Sequence, residues 1–514
     1  MQGPAMRIAR EEGFTVIAVD GNKNAPCARL ADRFLHIDLK DKEGIETAAR
    51  KIKDGEGLCG VMTSGTDFSA TVAWVAEKLR LHGIPYQNAL DASDKERMRR
   101  RFRQHGIPSP EFIAVGADTI NPEKFEPPPL PFPFPVVVKP VDNMGSRGCR
   151  RVDSPADLEN ALTSALSFSR GSRVIIEQYM DGPEFSIDAI VQNGEITICG
   201  LADRHIFFPP FFIEMGHTMP TSSIDEKTKR EIIDVFKAGI KCLGITLGAA
   251  KGDIKLTKNG PMIGEIAARL SGGYMSGWTY PYSSGVEPTK AALEACCGLP
   301  VRDLKPQKDW VSAERAFISI DGKIIAIKGR KYAENIEYIN DIFFRVTEGD
   351  SVNFPENNVT KCGNVISAAP THDLAVKAVE TAVRSVLFRL EAPNTETERF
   401  LGQSCDFPPD AFGVSPAVRA GLAAMLQGNA IKGNFSVEAP ICIENFDLFF
   451  KSGALDYAGR TAEESLDAVR NICGTPLPFA CRDEEPAFGR EFWGAMIRGG
   501  YQGAAYIVDK FLKR

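Results

Sequence analysis

At 514 residues the chain is too long for one hydrophobic core, and three or four domains are expected. Its 61 Lys and Arg against 67 Asp and Glu give a formal net charge of −6, which leaves no basic footprint for nucleic acid. No apolar run reaches membrane-spanning length, and no charged segment followed by an apolar core opens the chain, so neither a membrane span nor a secretion signal is expected. The 12 cysteines include no C-x-x-C pair and no zinc spacing, and they read as reduced thiols of a cytoplasmic protein.

Residues 1–90 alternate helix and strand. Short β-rich runs at Phe14–Asp20 and Leu58–Thr63 end in Asp or Thr-Ser-Gly, with helical stretches such as Ser69–Leu81 between and after them. That is the rhythm of a parallel sheet with ligand loops at its strand ends. Such a domain is expected to begin with a strand, whereas the first residues read as a loop and helix, as expected for a start downstream of the true one or for an incomplete domain. Ser93–Gln104 reads as a helix with a Ser93/Glu96 capping box, stopped by Gly106 and Pro108. Pro122–Pro135 is a proline-rich, extended connector. A compact α+β region follows, with strands at Val136–Lys139, Arg173–Met180, Phe185–Gln192 and Glu195–Leu201. Ser154 caps a helix to Phe168, and a second helix runs from about Asp225 to Leu243. Residues 310–390 read as a small β-rich domain ending in the helix Asp373–Leu387. Beyond about 395 come Pro-, Asp- and Gly-rich loops, an apolar β-like run Pro440–Ile443 and two or three helices, with no catalytic pattern.

Gly252–Gly273 carries the densest chemistry. Ile254, Leu256, Met262 and Ile263 flank a Lys258-Asn259-Gly260 turn, which predicts an antiparallel hairpin. Folded about Asn259, it sets Asp253 and Glu265 on neighbouring strands, roughly 5 Å apart. Two facing acids repel unless a cation or a hydrogen-bond network lies between them, and Mg²⁺ takes one or two carboxylates while leaving other positions to phosphate and water. Upstream, Lys139 at the end of a buried strand precedes the loop Gly145-Ser146-Arg147-Gly148, whose backbone N–H groups can wrap anionic oxygens. The stretch Glu177-Gln178-Tyr179-Met180 and Glu184 form a strand, a turn and a second strand; a β-turn with surface acids is the plainer reading of that segment.

Taken in order, SDKERMRRRFRQHGIPSP, KPxxxxGSRG, EQYMDGPEFSID and GDIKLTKNGPMIGEIAARLSGG resemble the ATP-grasp superfamily of carboxylate–amine ligases, with the relatives of biotin carboxylase and carbamoyl-phosphate synthetase nearest in layout. The resemblance covers about residues 1–390. It implies an α/β and α+β multidomain chain: a Rossmann-like domain over 1–92, an ATP-grasp domain over 93–305 (lid about 110–180, body about 181–305) and a small β-rich subdomain over 306–394. Residues 395–514 lie outside it, as an extension of unassigned role.

The resemblance also implies roles. Lys95 and Lys139 would contact the α- and β-phosphates, and Gly145, Ser146, Arg147 and Gly148 would close over them. Glu177, Gln178, Tyr179 and Met180 would form the adenine hinge, with Glu184 on the ribose. Asp253 and Glu265 would hold Mg²⁺ (or Mn²⁺), and Arg269 would steady the transferred phosphate. Two departures stand out: Ala267 replaces the asparagine usual two residues after the second acid, and Asp253 is one methylene shorter than the usual glutamate. Lys251 lies beside it. Phe212–Thr221 is similar to a stretch near the acceptor site of amino-acid ligases, which makes His217, and less directly Arg204, candidates for substrate contact. A lone histidine is more often packed or surface, and Trp278, Tyr280 and Tyr282 are more often core than pocket wall.

The expected function is an ADP-forming ligase that uses ATP and Mg²⁺ to activate a small carboxylate as an acyl phosphate for attack by an amine. Its partners would be small molecules, with neither nucleic acid nor membrane, and a homodimer is left open. The alternatives are a bicarbonate-activating carboxylase subunit, which would need a separate biotin carrier, and an ATP-binding sensor or scaffold with a weakened site.

Overall fold

The computed structural model describes residues 2–120, 125–403, 407–413, 453–474 and 485–512. The chain divides into two compact units: residues 1–314 with 368–375, and residues 315–367 with 376–514.

The first unit opens with helix α1 (Gln2–Glu11), then strands β1 (Ile17–Asp20) and β2 (Arg33–His36), paired in parallel. Helices α2 (Lys42–Glu56), α3 (Ser69–Leu79) and α4 (Tyr86–Ser93) follow, and Ile45, Ala49, Val75 and Leu79 form their shared core. Only the second half of the expected Phe14–Asp20 strand is strand. Leu58–Thr63 is not a strand: Leu58 and Val61 pack on the helix core, and sheet-like pairing is limited to a bridge from Ser64 to Leu270.

Helix α5 (Lys95–Gln104) is capped by Asp94, whose carboxylate accepts from Arg97 N at 3.0 Å, and not by Ser93. Ser93 is the last residue of α4 and donates its hydroxyl to Ala89 O at 2.7 Å. The extended residue that breaks the two helices apart is Asp94, and a carboxylate caps as well as a hydroxyl.

Strands β3 (Phe112–Gly116), β4 (Val136–Pro140), β5 (Arg150–Val152) and β6 (Arg173–Gln178) form an antiparallel sheet in the order β3-β6-β4-β5. Helix α6 (Leu158–Phe168) covers it through Leu158, Ala161, Leu162 and Ala165. The helix starts later than Ser154: a 3₁₀ turn over Pro155–Asp157 precedes it, and Ser154 Oγ donates to Asp157 Oδ2 at 2.8 Å. Part of the proline-rich connector, residues 122–124, lies outside the described residues. Its remainder packs, with Phe125, Leu130, Phe132 and Phe134 against the sheet core.

The larger sheet of this unit is antiparallel and contains β7 (Glu184–Gln192), β8 (Glu195–Phe207), β9 (Ile213–Met219), β10 (Gly248–Thr257) and β11 (Gly260–Ala267), with neighbours in the order β11-β10-β7-β8-β9. Helix α7 (Glu226–Cys242), capped by Asp225, buries Ile232, Phe236 and Ile240 against one face, where Phe185, Ile187, Ile254, Ile263 and Ile266 meet it. The approach is close enough that a Cβ at Gly252 would lie 2.6 Å from the Phe236 ring, so only glycine fits there. Helices α8 (Tyr280–Ser284) and α9 (Pro288–Cys296) complete the unit.

Strand β12 (Val311–Phe317) leads into the second unit. After it β13 (Gly322–Lys328), helix α10 (Arg330–Glu334), β14 (Ile339–Phe344), β15 (Ser351–Val352), β16 (Gly363–Ala369), α11 (His372–Ser385), β17 (Leu387–Leu390) and α12 (Thr395–Gly402) follow in order, residues 368–375 of β16 and α11 belonging to the first unit. β13 pairs with β15 and β17, and β14 with β16. The rings of Phe317, Phe344 and Phe388 pack together, and Tyr501 of the last helix (Glu485–Leu512) donates to Phe388 O. The run Pro440–Ile443 lies outside the described residues. Among the described residues no helix is long and apolar enough to cross a membrane.

Candidate active site

Side chains alternate across a strand, so the face of the larger sheet opposite α7 collects every second residue. Along β7 these are Glu184, Ser186 and Asp188, polar positions spaced by Phe185 and Ile187. On β10 their partners in register are Lys255, Asp253 and Lys251. One cross-strand row therefore reads Glu265–Asp253–Ser186 and the next Ala267–Lys251–Asp188; a third runs Lys255–Glu184–Arg204–His217. The apolar face makes the core and the polar face makes the site.

The hairpin forms as expected, and Asp253 does oppose Glu265, but not by folding about Asn259. The turn closes on the pair Thr257↔Gly260, a register that would place Asp253 opposite Gly264. A β-bulge shifts the ladder between Ile254↔Ile263 and Asp253↔Glu265, leaving Gly264 as the extra residue. The bulge also changes side-chain parity. Ile263 and Ile266 stay in the α7 core, while Glu265 turns to the polar face. Arg99 Nη2 donates to Gly264 O at 2.5 Å and so holds the bulge.

Lys95 and Arg99 lie one turn apart on α5, hence on one helix face, and both are buried. Lys95 Nζ donates to Asn143 O at 2.7 Å, at the start of the glycine loop, and lies 3.9 Å from Glu265 Oε1. Lys139 on β4 is 2.7 Å from Glu177 Oε2, and Arg99 Nε is 2.8 Å from Glu177 Oε1. Burial opposes a charge on Glu177, but these two cations outweigh it and hold its carboxyl below the usual range. Glu177, expected in the adenine hinge, thus has both carboxylate oxygens engaged, one by Lys139 and the other by Arg99.

Gly145, Ser146 and Gly148 take φ of 69°, 60° and 68°, which curls the loop after Lys139 into a concave turn. At Gly148 a Cβ would also come within 3.2 Å of the α6 backbone at Ala165. Arg147 Nε donates to Met144 O at 3.0 Å. In the hinge stretch Gln178 N donates to Glu111 O at 2.9 Å, the Arg151 guanidinium and the Lys255 ammonium lie over the Tyr179 ring at 4.8 and 5.3 Å, and Met180 approaches Gly264.

Asp253 is buried and heavily engaged. Its Oδ2 contacts Lys251 Nζ and lies 3.2 Å from Arg204 Nη1, and its Oδ1 accepts from Ser186 Oγ at 3.2 Å. Burial works against its charge, yet Arg204 and Lys251 keep its carboxyl below the ordinary range. Glu265 is opposed by burial too, and Lys95, Lys251, Arg269 and Lys139 pull its pKa down to about 2. Arg204 is a hub: it pairs with Glu184, with Glu214 at 2.9 Å and with Asp253, and these acids keep it charged despite burial. His217, 2% exposed, lies 3.6 Å from Glu214 and 3.2 Å from the fully buried Glu314.

Arg269 stands apart from the direct contacts. It donates to Thr66 O at 3.1 Å and Leu270 O at 3.0 Å, and reaches Glu265 through its field. Tyr280 is core, donating to Asp188 Oδ2 at 2.8 Å; burial raises the pKa of Asp188 above the usual range despite that bond. Arg99, Ser186, Lys255, Glu214 and Glu314 join the site without having been expected there; the four-residue spacing of Lys95 and Arg99 could have found Arg99, and the alternation of Glu184, Ser186 and Asp188 could have found Ser186.

The arrangement suits a polyanion. Two lysines meet a loop rich in left-handed backbone, and an ionised, partly accessible carboxylate faces the same side. Among the described residues no three metal-ligating side chains cluster. Two opposed carboxylates still fit Mg²⁺, which takes few protein ligands and fills its octahedron with phosphate and water. Glu265 fits that role better than Asp253, since its side chain is 28% exposed and its nearest ionic partner is the 3.9 Å lysine.

Residues 132–277 match the family model for the ATP-grasp domain, and residues 316–391 match that for L-amino acid ligase C-terminal domain 2. An uncharacterized protein y4rH of Sinorhizobium fredii is 25% identical over 337 residues, covering 64% of this chain and 68% of that protein. Human carnosine synthase 1 is 25% identical over 321 residues, which cover 58% of this chain but only 39% of the synthase. The crystal structure of L-amino acid ligase from Bacillus licheniformis superposes with a TM-score of 0.65 at 20% identity, covering 76% of this chain and 96% of that one, a likeness of fold. The chain thus carries, in order, an ATP-grasp domain over residues 132–277 and an L-amino acid ligase C-terminal domain over residues 316–391.

Proposed function

We propose that the chain is an ATP-dependent, Mg²⁺-requiring ligase that joins a small carboxylate to the amine of an amino acid, releasing ADP and phosphate. The observation that carries the reading is the register Asp253↔Glu265 on the polar face of the sheet, with Lys95 bridging Glu265 to the glycine loop. The family matches and the names of the similar proteins, an L-amino acid ligase and a carnosine synthase, support the carboxylate–amine class.

Phosphoryl transfer depends on positioning and charge neutralisation more than on covalent help. Lys95 and Lys139 bind and orient the phosphates, with Lys139 held in place by Glu177 and Arg99. The Gly145–Gly148 loop caps the phosphates with backbone N–H groups, and Gln178–Met180 supplies the edge that meets the base. Glu265, with Asp253 beside it, holds Mg²⁺, which when bound neutralises phosphate charge. A carboxylate oxygen of the first substrate attacks the γ-phosphorus, and the bond to ADP breaks. The amine then attacks the acyl carbon, phosphate leaves with the bonding pair, and the nitrogen gives up its proton. Glu214, beside His217 and Arg204 and with its side chain 13% exposed, places negative charge where an incoming ammonium can be held.

The test is ADP release from Mg·ATP with pooled amino acids and small carboxylates, with mass spectrometry of the products. Substrate-dependent ADP with a condensation product is the expected result. Nucleotide binding without stimulated ADP across the panel would replace the ligase with a binding module.

A further inference from the structure

The polar face of the hairpin holds a cation of its own. Lys251 lies two residues before Asp253 on β10, so both side chains leave the same face, and the Lys251 ammonium contacts Asp253 Oδ2. Its side chain is 12% exposed, and its charge also acts on Glu265 and on Asp188, the residue beside it in register on β7. Directly opposite it on β11 is Ala267, a methyl group where a longer side chain would compete for the space that the lysine fills.

We propose that the Lys251 ammonium is a resident cation of this carboxylate site, replacing a second divalent ion, so that nucleotide binds with one Mg²⁺ on Glu265. The inference rests on the reading of the site as an ATP site. Three observations carry it. Both oxygens of Asp253 are already engaged: Lys251 and Arg204 share Oδ2, and Ser186 donates to Oδ1. A divalent ion at Asp253 would therefore have to sit against two fixed unit charges in a buried setting, where like charges are poorly screened. Glu265, by contrast, keeps an accessible carboxylate. Finally, β11 offers no second oxygen on this face, because the next side chain after Glu265 pointing the same way is Ala267. Release of Lys251 does not solve the problem for a second ion. Asp188, beside it in register, already accepts from Tyr280 Oη and Ser271 N, and Glu265, the other acid its charge acts on, is the one that takes the ion, so the displaced ammonium would give up its contact with Asp253 while buried.

The experiment counts ions. Mn²⁺ replaces Mg²⁺, the non-hydrolysable analogue AMP-PNP replaces ATP, and bound Mn²⁺ and bound nucleotide are measured together by electron paramagnetic resonance and equilibrium dialysis on the full chain. The wild type is expected to hold one Mn²⁺ per bound nucleotide. Ala267→Asn alone, which restores an oxygen but leaves the lysine, is expected to stay at one, and Lys251→Met/Ala267→Asn to rise to two. Two Mn²⁺ per nucleotide in the wild type or in Ala267→Asn overturns the inference, as does a double variant that binds nucleotide yet still holds one. Failure of the wild type to bind AMP-PNP at all would instead overturn the parent reading, and with it this one. The wild-type count decides without any variant, so a double variant that fails to fold removes only one arm.

Discussion

Arg99 is the residue whose removal tests most of the site at once. Its guanidinium, 1% exposed, joins Glu177 at 2.8 Å to the bulge carbonyl of Gly264 at 2.5 Å, while Lys139 takes the other oxygen of Glu177 at 2.7 Å. Breaking a buried ion pair from one side costs about 3–5 kcal/mol, and because Lys139 remains on Glu177 the lower end of that range applies to Arg99→Met. The lost bond to Gly264 O adds about 1 kcal/mol. Glu177→Gln alone strands two cations and should cost about as much, roughly 3–4 kcal/mol. The double variant removes the pair together, so its cost should fall short of the sum by about 1.5–3 kcal/mol, as expected for contacting residues of one network. Urea unfolding followed by fluorescence suits the measurement, because Trp74, Trp278 and Trp310, three of the four tryptophans, lie in the unit that carries the site. Additive single costs, within about 0.5 kcal/mol, would refute the account, since they would mean that Arg99 and Glu177 do not share one network. A second readout separates packing from positioning. With Glu177 held by Lys139 alone and the bulge unsupported, Arg99→Lys should weaken AMP-PNP binding by at least about tenfold even if it folds well, because a lysine cannot reproduce the planar fork that reaches both Glu177 and Gly264 O.

Four further outcomes are expected. Glu265→Gln should lower ADP formation by at least about a hundredfold, in the range seen when a key electrostatic contact to a developing charge is lost; unchanged turnover would sink the metal assignment. The carboxyl of Glu265 is held near 2 in the folded chain against 4.5 ordinarily, so its stabilising contribution is complete above about pH 5 and fades as the pH falls toward 2. Accordingly the Tm gap between wild type and Glu265→Gln should be flat from pH 7 to 5 and narrow below that, and a gap that widens in acid would contradict the charge pattern around it. Gly148→Ala should lower Tm and nucleotide affinity together, as its φ of 68° and the Ala165 backbone leave no room for a methyl; calorimetry with and without AMP-PNP checks both. Cys59 and Cys297, with sulfurs 3.4 Å apart, should cross-link under diamide, and faster as pH rises because burial and the neighbouring thiol push the Cys59 pKa up to about 11. Peptide mapping that finds both thiols free at pH 9 after oxidation would rule the contact out.

Legibility in the sequence followed the range of the forces involved. Motifs whose chemistry is local, such as Lys139 before a glycine loop or an Asp and a Glu about an Asn-Gly turn, showed in the residues themselves. The small errors were local as well: two successive residues able to cap, Ser93 and Asp94, left the helix start one position off. What the sequence hid was pairing over long separations. Glu177 looked like a hinge acid because nothing nearby reveals Arg99, 78 residues earlier, as its partner. His217 looked solitary because Glu314 lies 97 residues away.

The hairpin shows why a correct juxtaposition can rest on an incomplete cause. Strict alternation from the Lys258-Asn259 turn would send Ile263 and Glu265 to the same face, burying a carboxylate beside Phe236 or setting an isoleucine on the polar face. Neither is tolerable, and the chain resolves the conflict by spending one residue, Gly264, to change parity. A bulge leaves a backbone carbonyl outside the ladder, and Arg99 answers it. The site's geometry is therefore set by three residues that carry no reacting charge of their own: the glycine that flips the strand, the arginine that holds it there, and the alanine that gives Lys251 its room. Inserting an alanine after Gly264 would shift parity a second time and turn Glu265 back toward α7, which predicts loss of Mn²⁺ binding with the lysines and the glycine loop untouched.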